Sequence, residues 1–241
     1  MSWAARTVSY ARNRLSYFGQ TVSYKALGRK KLANIGIATS TAAWKEARQI
    51  VNPFLEELPS GVSGFGGALE GIFCTVRTLR PTLVVETGVA NGVSSTIILE
   101  ALSRNQSGTL YSIDLPGKDP SAILPSGCET GWLVPERLRH RWRLLMGETS
   151  SVLPELLSKL GTIQMFYHDS DHQYDNMMFE FSSAWKHLEN GGIIISDNTD
   201  LNPAFKDFCS KVRCINVVTD NVGFALRLPE NQGTLCGASK N

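Results

Sequence analysis

The sequence lacks several features that would place it in a specialised class. No apolar run approaches the ~18 residues of a membrane-spanning helix, so we predict no transmembrane segment. Its five cysteines are odd in number and form no Cys-x-x-Cys pair, which favours reduced thiols in a cytoplasmic protein over disulfides or a zinc site. The formal net charge is only +2, so we expect no nucleic-acid partner.

Acidic residues are absent from the first 45 positions, which hold eight basic residues. The rest of the chain carries 16 basic and 22 acidic residues and is therefore mildly acidic. We predict a basic N-terminal arm over residues 1–40, a helical cap or lid over 41–80, an α/β domain over 81–230 and a tail over 231–241.

Apolar residues recur in the arm at roughly helical spacing, with arginines between them. Three interpretations stay open. The arm is a helical appendage packed on the body or on a second subunit of a homodimer, an interfacial helix in peripheral contact with anionic lipid, or a targeting segment.

The body alternates strand and helix patterns from Leu83 onward. Three consecutive isoleucines at 193–195 are typical of a strand buried on both faces. Residues 212–218 and 222–228 are close enough in sequence to form an antiparallel hairpin. Repeated strand–helix units predict a Rossmann-like, doubly wound α/β fold that binds ligands at the carboxyl ends of its strands. The Pro- and Gly-rich segment Leu115–Pro135 is predicted to be a long loop, with Trp132 either stacking on a substrate or anchoring the loop.

The first strand ends in an acid, Glu86, and turns through Gly88 and Gly92 into a helix. Glycine permits a positive φ and a close ligand approach, and the helix start adds free N–H groups. The third glycine of a dinucleotide-binding turn is missing, which argues against a nicotinamide dehydrogenase. An acid at this strand end suits a ligand with a cationic amine, as in the methionine part of S-adenosylmethionine.

Polar residues also end the next two strands. Asp114 closes the second strand, where an acid can accept both hydroxyls of a ribose. Gly147, Glu148 and Thr149 follow the third strand and would lie beside an adenine. The alternative is an ordinary tight turn with Asp114 as a loop acid.

These three segments resemble the cofactor motifs of class I S-adenosylmethionine-dependent methyltransferases, over roughly Thr82 to Leu228. The resemblance implies a seven-stranded sheet with an antiparallel last strand, in agreement with the predicted hairpin, and a methyltransferase domain over 81–230. It also implies S-adenosylmethionine as the cofactor. The predicted cofactor-binding residues are Glu86, Gly88, Asn91, Gly92, Ser94, Asp114, Gly147, Glu148, Thr149, Asp169 and Asp171.

A second polar group follows the fourth and fifth strands. Neighbouring strands would bring Asp169, Asp197 and Asn198 to one pocket, and such oxygen ligands suit Mg²⁺. The ion would orient a substrate hydroxyl and lower its pKa, and His172 could accept the proton. Asp169 and His172 are therefore the predicted catalytic residues. Asp197 and Asn198 could instead form a plain Asx turn, and Asp171 could simply cap the following helix.

This group resembles the cation-dependent O-methyltransferases of the catechol and caffeoyl-CoA type, and is similar to the sugar-modifying macrocin type. In the first type a lysine stands where this chain has His172, so the identity of the base is open. The resemblance implies O-methylation of a small-molecule acceptor such as a phenol, sugar or secondary metabolite. The alternatives are a metal-independent methyltransferase with His172 as base and a non-catalytic protein that docks on a membrane or partner.

Overall fold

A seven-stranded sheet with helices on both faces forms the centre of the molecule. The structure, a computed structural model, describes residues 28–37, 40–59, 62, 68–115 and 124–229. The strands are β1 Leu83–Thr87, β2 Thr109–Asp114, β3 Trp142–Met146, β4 Ile163–His168, β5 Leu188–Ser196, β6 Cys214–Thr219 and β7 Val222–Arg227. Their order is β3-β2-β1-β4-β5-β7-β6, and only β7 runs antiparallel to its neighbours. The predicted fold class is confirmed.

Burial on both faces explains the isoleucine run in β5. Ile193 and Ile195 pack into the core on one face of the sheet, and Ile194 packs into the core on the other. Side chains that alternate in this way, all without solvent exposure, are expected of a strand covered by helices on both sides.

Six α-helices cover the sheet among the described residues from Thr41 onward. They are α1 Thr41–Glu56, α2 Leu69–Leu79, α3 Val93–Asn105, α4 Thr149–Leu160, α5 Tyr174–His187 and α6 Ala204–Lys211, with a 3₁₀ helix at Glu136–Arg141. Helices α1 to α3 cover one face, and α4 to α6 cover the other. None of the described helices is long and apolar enough to cross a membrane.

The segment predicted as a helical cap contributes to the core of the domain. Every residue of α2 from Leu69 to Val76 is buried, and α1 buries Trp44, Ala47 and Val51 along one side. Residues 28–34 are also helical, and Leu32 is fully buried. The predictions for the rest of the basic arm, for the middle of the long loop and for the tail fall on residues 1–27, 116–123 and 230–241, outside the described residues.

The strand order reverses direction between β1 and β4. From β1 the chain first builds β2 and β3 on one side, and then crosses to β4 and β5 on the other. In doubly wound sheets such a switch point opens a crevice at the carboxyl ends of the strands. The predicted site residues follow β1 to β5 and therefore share this edge.

Candidate active site

The turn after β1 needs glycine at its first position. Gly88 has a φ of 81°, and its N–H donates to the Ile113 carbonyl at 2.9 Å. A Cβ on Gly88 would lie 2.0 Å from the backbone oxygen of Asp169. The end of β1 therefore packs directly against the segment that follows β4, and the predicted cofactor turn touches the predicted acidic group.

Glu86 lies beneath this turn and has no solvent exposure. Its carboxylate accepts hydrogen bonds from the hydroxyls of Ser94 at 2.8 Å, Ser95 at 2.6 Å and Ser112 at 2.6 Å. Burial raises the pKa of Glu86 to about 7, against the opposing effect of the three hydroxyl donors. Its direct contact with a cofactor amine stays a prediction, and so does that of Ser94.

The buried carboxyl of Glu86 should make stability depend on pH. Because the pKa of Glu86 is raised in the folded state, its contribution to the free energy of unfolding is fully present below pH 4.5. That contribution is lost as the pH rises through about 7. The full loss is on the order of 3 kcal/mol. Urea unfolding between pH 5 and 8 should therefore show a steeper fall in the free energy of unfolding for the wild type than for Glu86→Gln. If the free energy of unfolding falls equally with pH in both proteins, the pKa of Glu86 is not raised in the folded state.

Asp114 joins the ends of the first three strands. Its Oδ2 accepts from Ala90 N at 2.8 Å and Val89 N at 3.3 Å, and its Oδ1 accepts from Leu115 N at 2.8 Å. The Asp114 carbonyl accepts from Gly147 N at 2.8 Å. The carboxylate thus supports the glycine turn, and its contact with a ribose stays a prediction.

The end of β3 contributes polar and apolar surface. Glu148 is exposed and occupies the N-cap position of α4 without a side-chain hydrogen bond to the helix. The Thr149 hydroxyl donates to Asn176 Oδ1 at 3.4 Å. Leu115 and Met146 are 43% and 44% exposed, beside Asp114. Sequence reasoning missed this apolar pair, for which the usable signals were the apolar residue directly after Asp114 and the apolar residue that ends β3.

The second half of the long loop docks on the glycine turn. Gly131 N donates to the Ala90 carbonyl at 2.8 Å, and Leu133 N donates to the Asn91 carbonyl at 3.1 Å. The Trp132 ring N–H donates to Asn91 Oδ1 at 2.8 Å. These contacts favour the anchoring role of Trp132 and engage the Asn91 side chain, which was predicted to bind cofactor. Gly92 is also covered, since a Cβ there would lie 2.9 Å from the Gly131 Cα.

Asp169 and Asp197, two of the three predicted metal ligands, lie together with His172, the predicted base, at the ends of β4 and β5. Each offers one potential ligand atom, and these atoms lie within 4.8 Å of one another. The Tyr167 hydroxyl donates to Asp169 Oδ2 at 3.3 Å. Burial and the neighbouring Asp197 carboxylate raise the pKa of Asp169 well above its usual value. Two carboxylates held together in this way favour a shared proton or a cation between them.

His172 adds a nitrogen to this group. Its Nε2 lies 3.8 Å from Asp169 Oδ1 and 2.8 Å from Asn198 Nδ2. Burial, and then the nearby His168, lower the pKa of His172 to about 4. The ring is therefore neutral at neutral pH and a weak proton acceptor, which speaks against its predicted role as general base.

Asn198, the third predicted metal ligand, contacts the His172 ring, and Asp171 contacts the backbone just before α5. Asn198 adopts a φ of 50° and places its amide on the His172 ring. Asp171 is exposed, and its Oδ1 accepts from Gln173 N at 3.1 Å, just before α5 begins. Gln173 and not Asp171 is the N-cap residue of α5, so Asp171 forms an Asx turn before the helix instead of the predicted cap. Its contact with a cofactor stays a prediction.

A buried carboxylate behind the group was missed from the sequence. Glu180 has no solvent exposure and lies 2.7 Å from His168 Nδ1. It also accepts from Thr87 Oγ1 at 2.5 Å and Ser170 Oγ at 2.7 Å. Burial alone would raise the pKa of Glu180, but these hydrogen bonds outweigh it and the pKa is lowered. The usable signal was an acid among the apolar residues on the buried side of α5.

The donor set fits a divalent cation. Asp169 and Asp197 supply carboxylate oxygens, and the neutral His172 ring supplies a nitrogen lone pair. Carboxylates and imidazole are the ordinary protein ligands of divalent first-row metals. Residues of this edge could therefore hold an ion beside the glycine turn.

Residues 85–199 match the family model described as "Methyltransferase domain". No curated protein sequence matches the chain. The SAH-bound methyltransferase PaMTH1 of Podospora anserina is 13% identical, with 88% of this chain and 97% of that chain covered and a TM-score of 0.53. The O-methyltransferase TomG of Streptomyces achromogenes, solved with SAM, is 18% identical over 79% and 91%, with a TM-score of 0.51. The O-methyltransferase NovP is 20% identical over 67% and 79%, with a TM-score of 0.53. This chain shares their fold.

Proposed function

We propose that this chain, whose residues 85–199 match the methyltransferase-domain model, is an S-adenosylmethionine-dependent enzyme of the class I type. We propose further that it methylates a hydroxyl oxygen of a small molecule with the help of a divalent cation. The adjacency of the two halves of the site carries the proposal. The glycine turn after β1 packs against the backbone of Asp169, which begins the carboxylate–histidine group. A methyl donor on the turn and an acceptor on that group would lie side by side.

The edge formed by β1, β2 and β3 supports a nucleoside ligand. Gly88 leaves room close to the backbone, and Asp114 is fixed at the end of β2 by the N–H groups of the turn. The exposed Leu115 and Met146 offer an apolar surface for a flat base. The structural neighbours solved with SAH or SAM add support for this cofactor.

The residues after β4 and β5 support the proposal that the methyl acceptor is an oxygen atom. A hydroxyl must lose its proton to become a strong nucleophile, and a divalent ion bound here would lower the pKa of that hydroxyl. Asp169, Asp197 and His172 would hold the ion and so place the acceptor oxygen. The two named O-methyltransferases of the same fold are in keeping with this choice.

The transfer is a single displacement. A lone pair of the acceptor oxygen forms the new O–C bond while the S–CH₃ bond breaks, and its electron pair stays on sulfur, leaving S-adenosylhomocysteine. The hydroxyl proton leaves to water, because Asp169 and His172 keep 15% and 19% of their side-chain surface exposed and the low pKa of His172 makes it a weak base. The protein contributes mainly by positioning the two reactants.

Calorimetry and turnover test the proposal together. S-adenosylhomocysteine should bind the wild type and Asp197→Asn alike, while Asp197→Asn and EDTA should each reduce methyl transfer to a panel of phenols, catechols and sugars by about 100-fold or more. Asp200→Asn is the matched control, because Asp200 is an exposed acid three residues further on and its loss should leave turnover unchanged.

Two results would contradict this function in different ways. Failure of S-adenosylhomocysteine to bind would remove the methyltransferase assignment. Full activity of Asp197→Asn together with insensitivity to EDTA would leave the methyltransferase intact and remove the cation.

A further inference from the structure

Three buried or half-buried side chains form a line behind the carboxylate pair. Glu180 Oε2 lies 2.7 Å from His168 Nδ1, and His168 Nε2 lies 3.3 Å from His172 Nδ1. Glu180 and His168 have no solvent exposure, and the two rings meet edge to face with their centroids 5.3 Å apart. Phe181 packs against the other side of His168, also with centroids 5.3 Å apart. The position of His172 is thus set from the interior of the domain.

With both rings in the neutral form, these hydrogen bonds assign one ring hydrogen to each histidine. The Glu180 carboxylate can only accept, so His168 donates from Nδ1 and its Nε2 keeps a lone pair. That lone pair accepts the Nδ1–H of His172. The Nε2 of His172 then has no hydrogen and presents its lone pair outward. The Asn198 amide, 2.8 Å away, donates to this lone pair.

Nε2 of His172 lies at a distance from the Asp169 carboxylate that would let both bind the same ion. Nε2 lies 3.8 Å from Asp169 Oδ1, which is too long for a hydrogen bond. Two ligand atoms that each bind one ion at about 2.0–2.2 Å lie on the order of 3–4 Å apart. A metal-binding histidine is typically held by a hydrogen bond from its other ring nitrogen, as His172 is held here by His168.

We infer that His172 Nε2 is a nitrogen ligand of the cation, together with carboxylate oxygens of Asp169 and Asp197, and that Glu180 and His168 are its positioning residues. The inference rests on the proposed function and deepens it, because it names the ion class. A set of two oxygens and one imidazole favours first-row transition ions such as Mn²⁺, Co²⁺ or Zn²⁺ over Mg²⁺, which prefers oxygen ligands and water. Asn198, the third ligand predicted from the sequence, gives up its hydrogen bond to the ring when the ion binds.

Metal binding to the protein freed of ions with EDTA tests this inference without any turnover. Calorimetry should show Co²⁺ binding to His172→Gln about 100-fold more weakly than to the wild type, with less than about a threefold change for Mg²⁺. His168→Leu keeps the His172 side chain but removes the hydrogen bond that positions it, and should weaken Co²⁺ binding about 10- to 100-fold. The visible absorption spectrum of bound Co²⁺, which reports its ligands, should change in His172→Gln. His140→Gln, at an exposed histidine of the 3₁₀ helix, should match the wild type.

The outcomes separate this inference from the proposed function. Equal Co²⁺ affinity and an equal spectrum in the wild type and His172→Gln would overturn it, and so would the absence of Co²⁺ binding. A melting curve of each variant shows whether it is folded. S-adenosylhomocysteine binding, measured on the same samples, reports on the methyltransferase alone: its loss would remove that function and leave a His172-dependent metal site standing.

Discussion

Gly88→Ala should destabilise the protein by about 2–4 kcal/mol and abolish S-adenosylhomocysteine binding. An added Cβ would lie 2.0 Å from the Asp169 carbonyl oxygen and 2.7 Å from Ser170 N, both of them backbone atoms that cannot turn aside. Its positive φ of 81° adds about 1 kcal/mol of strain for any residue with a Cβ. Overpacking a fixed site adds roughly 1–3 kcal/mol more. Urea unfolding and calorimetry measure the two effects.

Gly191→Ala is the control that separates strain from overpacking. Gly191 has a φ of 82°, almost that of Gly88, but a Cβ there would meet nothing within 4 Å. Its replacement should cost only about 1 kcal/mol and leave S-adenosylhomocysteine binding unchanged. Equal losses of stability in Gly88→Ala and Gly191→Ala would contradict the close contact between Gly88 and the Asp169 backbone.

Glu180→Ala should lower the free energy of unfolding by about 3–5 kcal/mol, the cost of removing one partner from a buried charged network. The variant leaves the donors of Thr87, Ser170 and His168 without their acceptor in the interior. Each buried donor left unpaired costs about 1–3 kcal/mol, and partial relaxation or entry of water reduces the sum. Chemical denaturation at neutral pH gives the measurement.

Two controls define the result. Glu155→Ala removes an exposed acid on α4 that pairs with Lys159, and should leave the stability unchanged. Glu180→Gln keeps the shape and one acceptor oxygen, and should fall between the wild type and the alanine variant. A Glu180→Ala protein as stable as the wild type would mean that the buried network does not support the domain.

The sequence predicted correctly those features that are formed by residues close to one another in the chain. The two-glycine turn after Val84–Glu86 and the isoleucine run at 193–195 both depend on residues close in sequence, and both are as predicted. The short sequence between β6 and β7 likewise forms a tight turn, with positive φ at Asp220 and Asn221. Such features need only backbone geometry and the alternation of buried side chains.

Side-chain contacts between residues far apart in the sequence could not be predicted from such local patterns. The contact of Glu180 with Thr87 joins residues 93 positions apart. His172 was predicted to be a base because its ordinary pKa suits that role, but burial and His168 lower its pKa to about 4. Burial of an ionisable group depends on how the helices pack over it, which a strand-and-helix pattern does not contain.

The sequence by itself determined the strand–helix alternation, and with it the edge at which Gly88, Asp114, Asp169 and Asp197 gather, because parallel strands in a doubly wound sheet all end on one side. The tertiary structure alone decided how these residues are used. It placed Glu86 under three serine hydroxyls. It also turned Nδ1 of His172 toward His168 and placed Nε2 of His172 3.8 Å from Asp169 Oδ1. The reason is that protonation and hydrogen-bond direction depend on the neighbours that packing supplies.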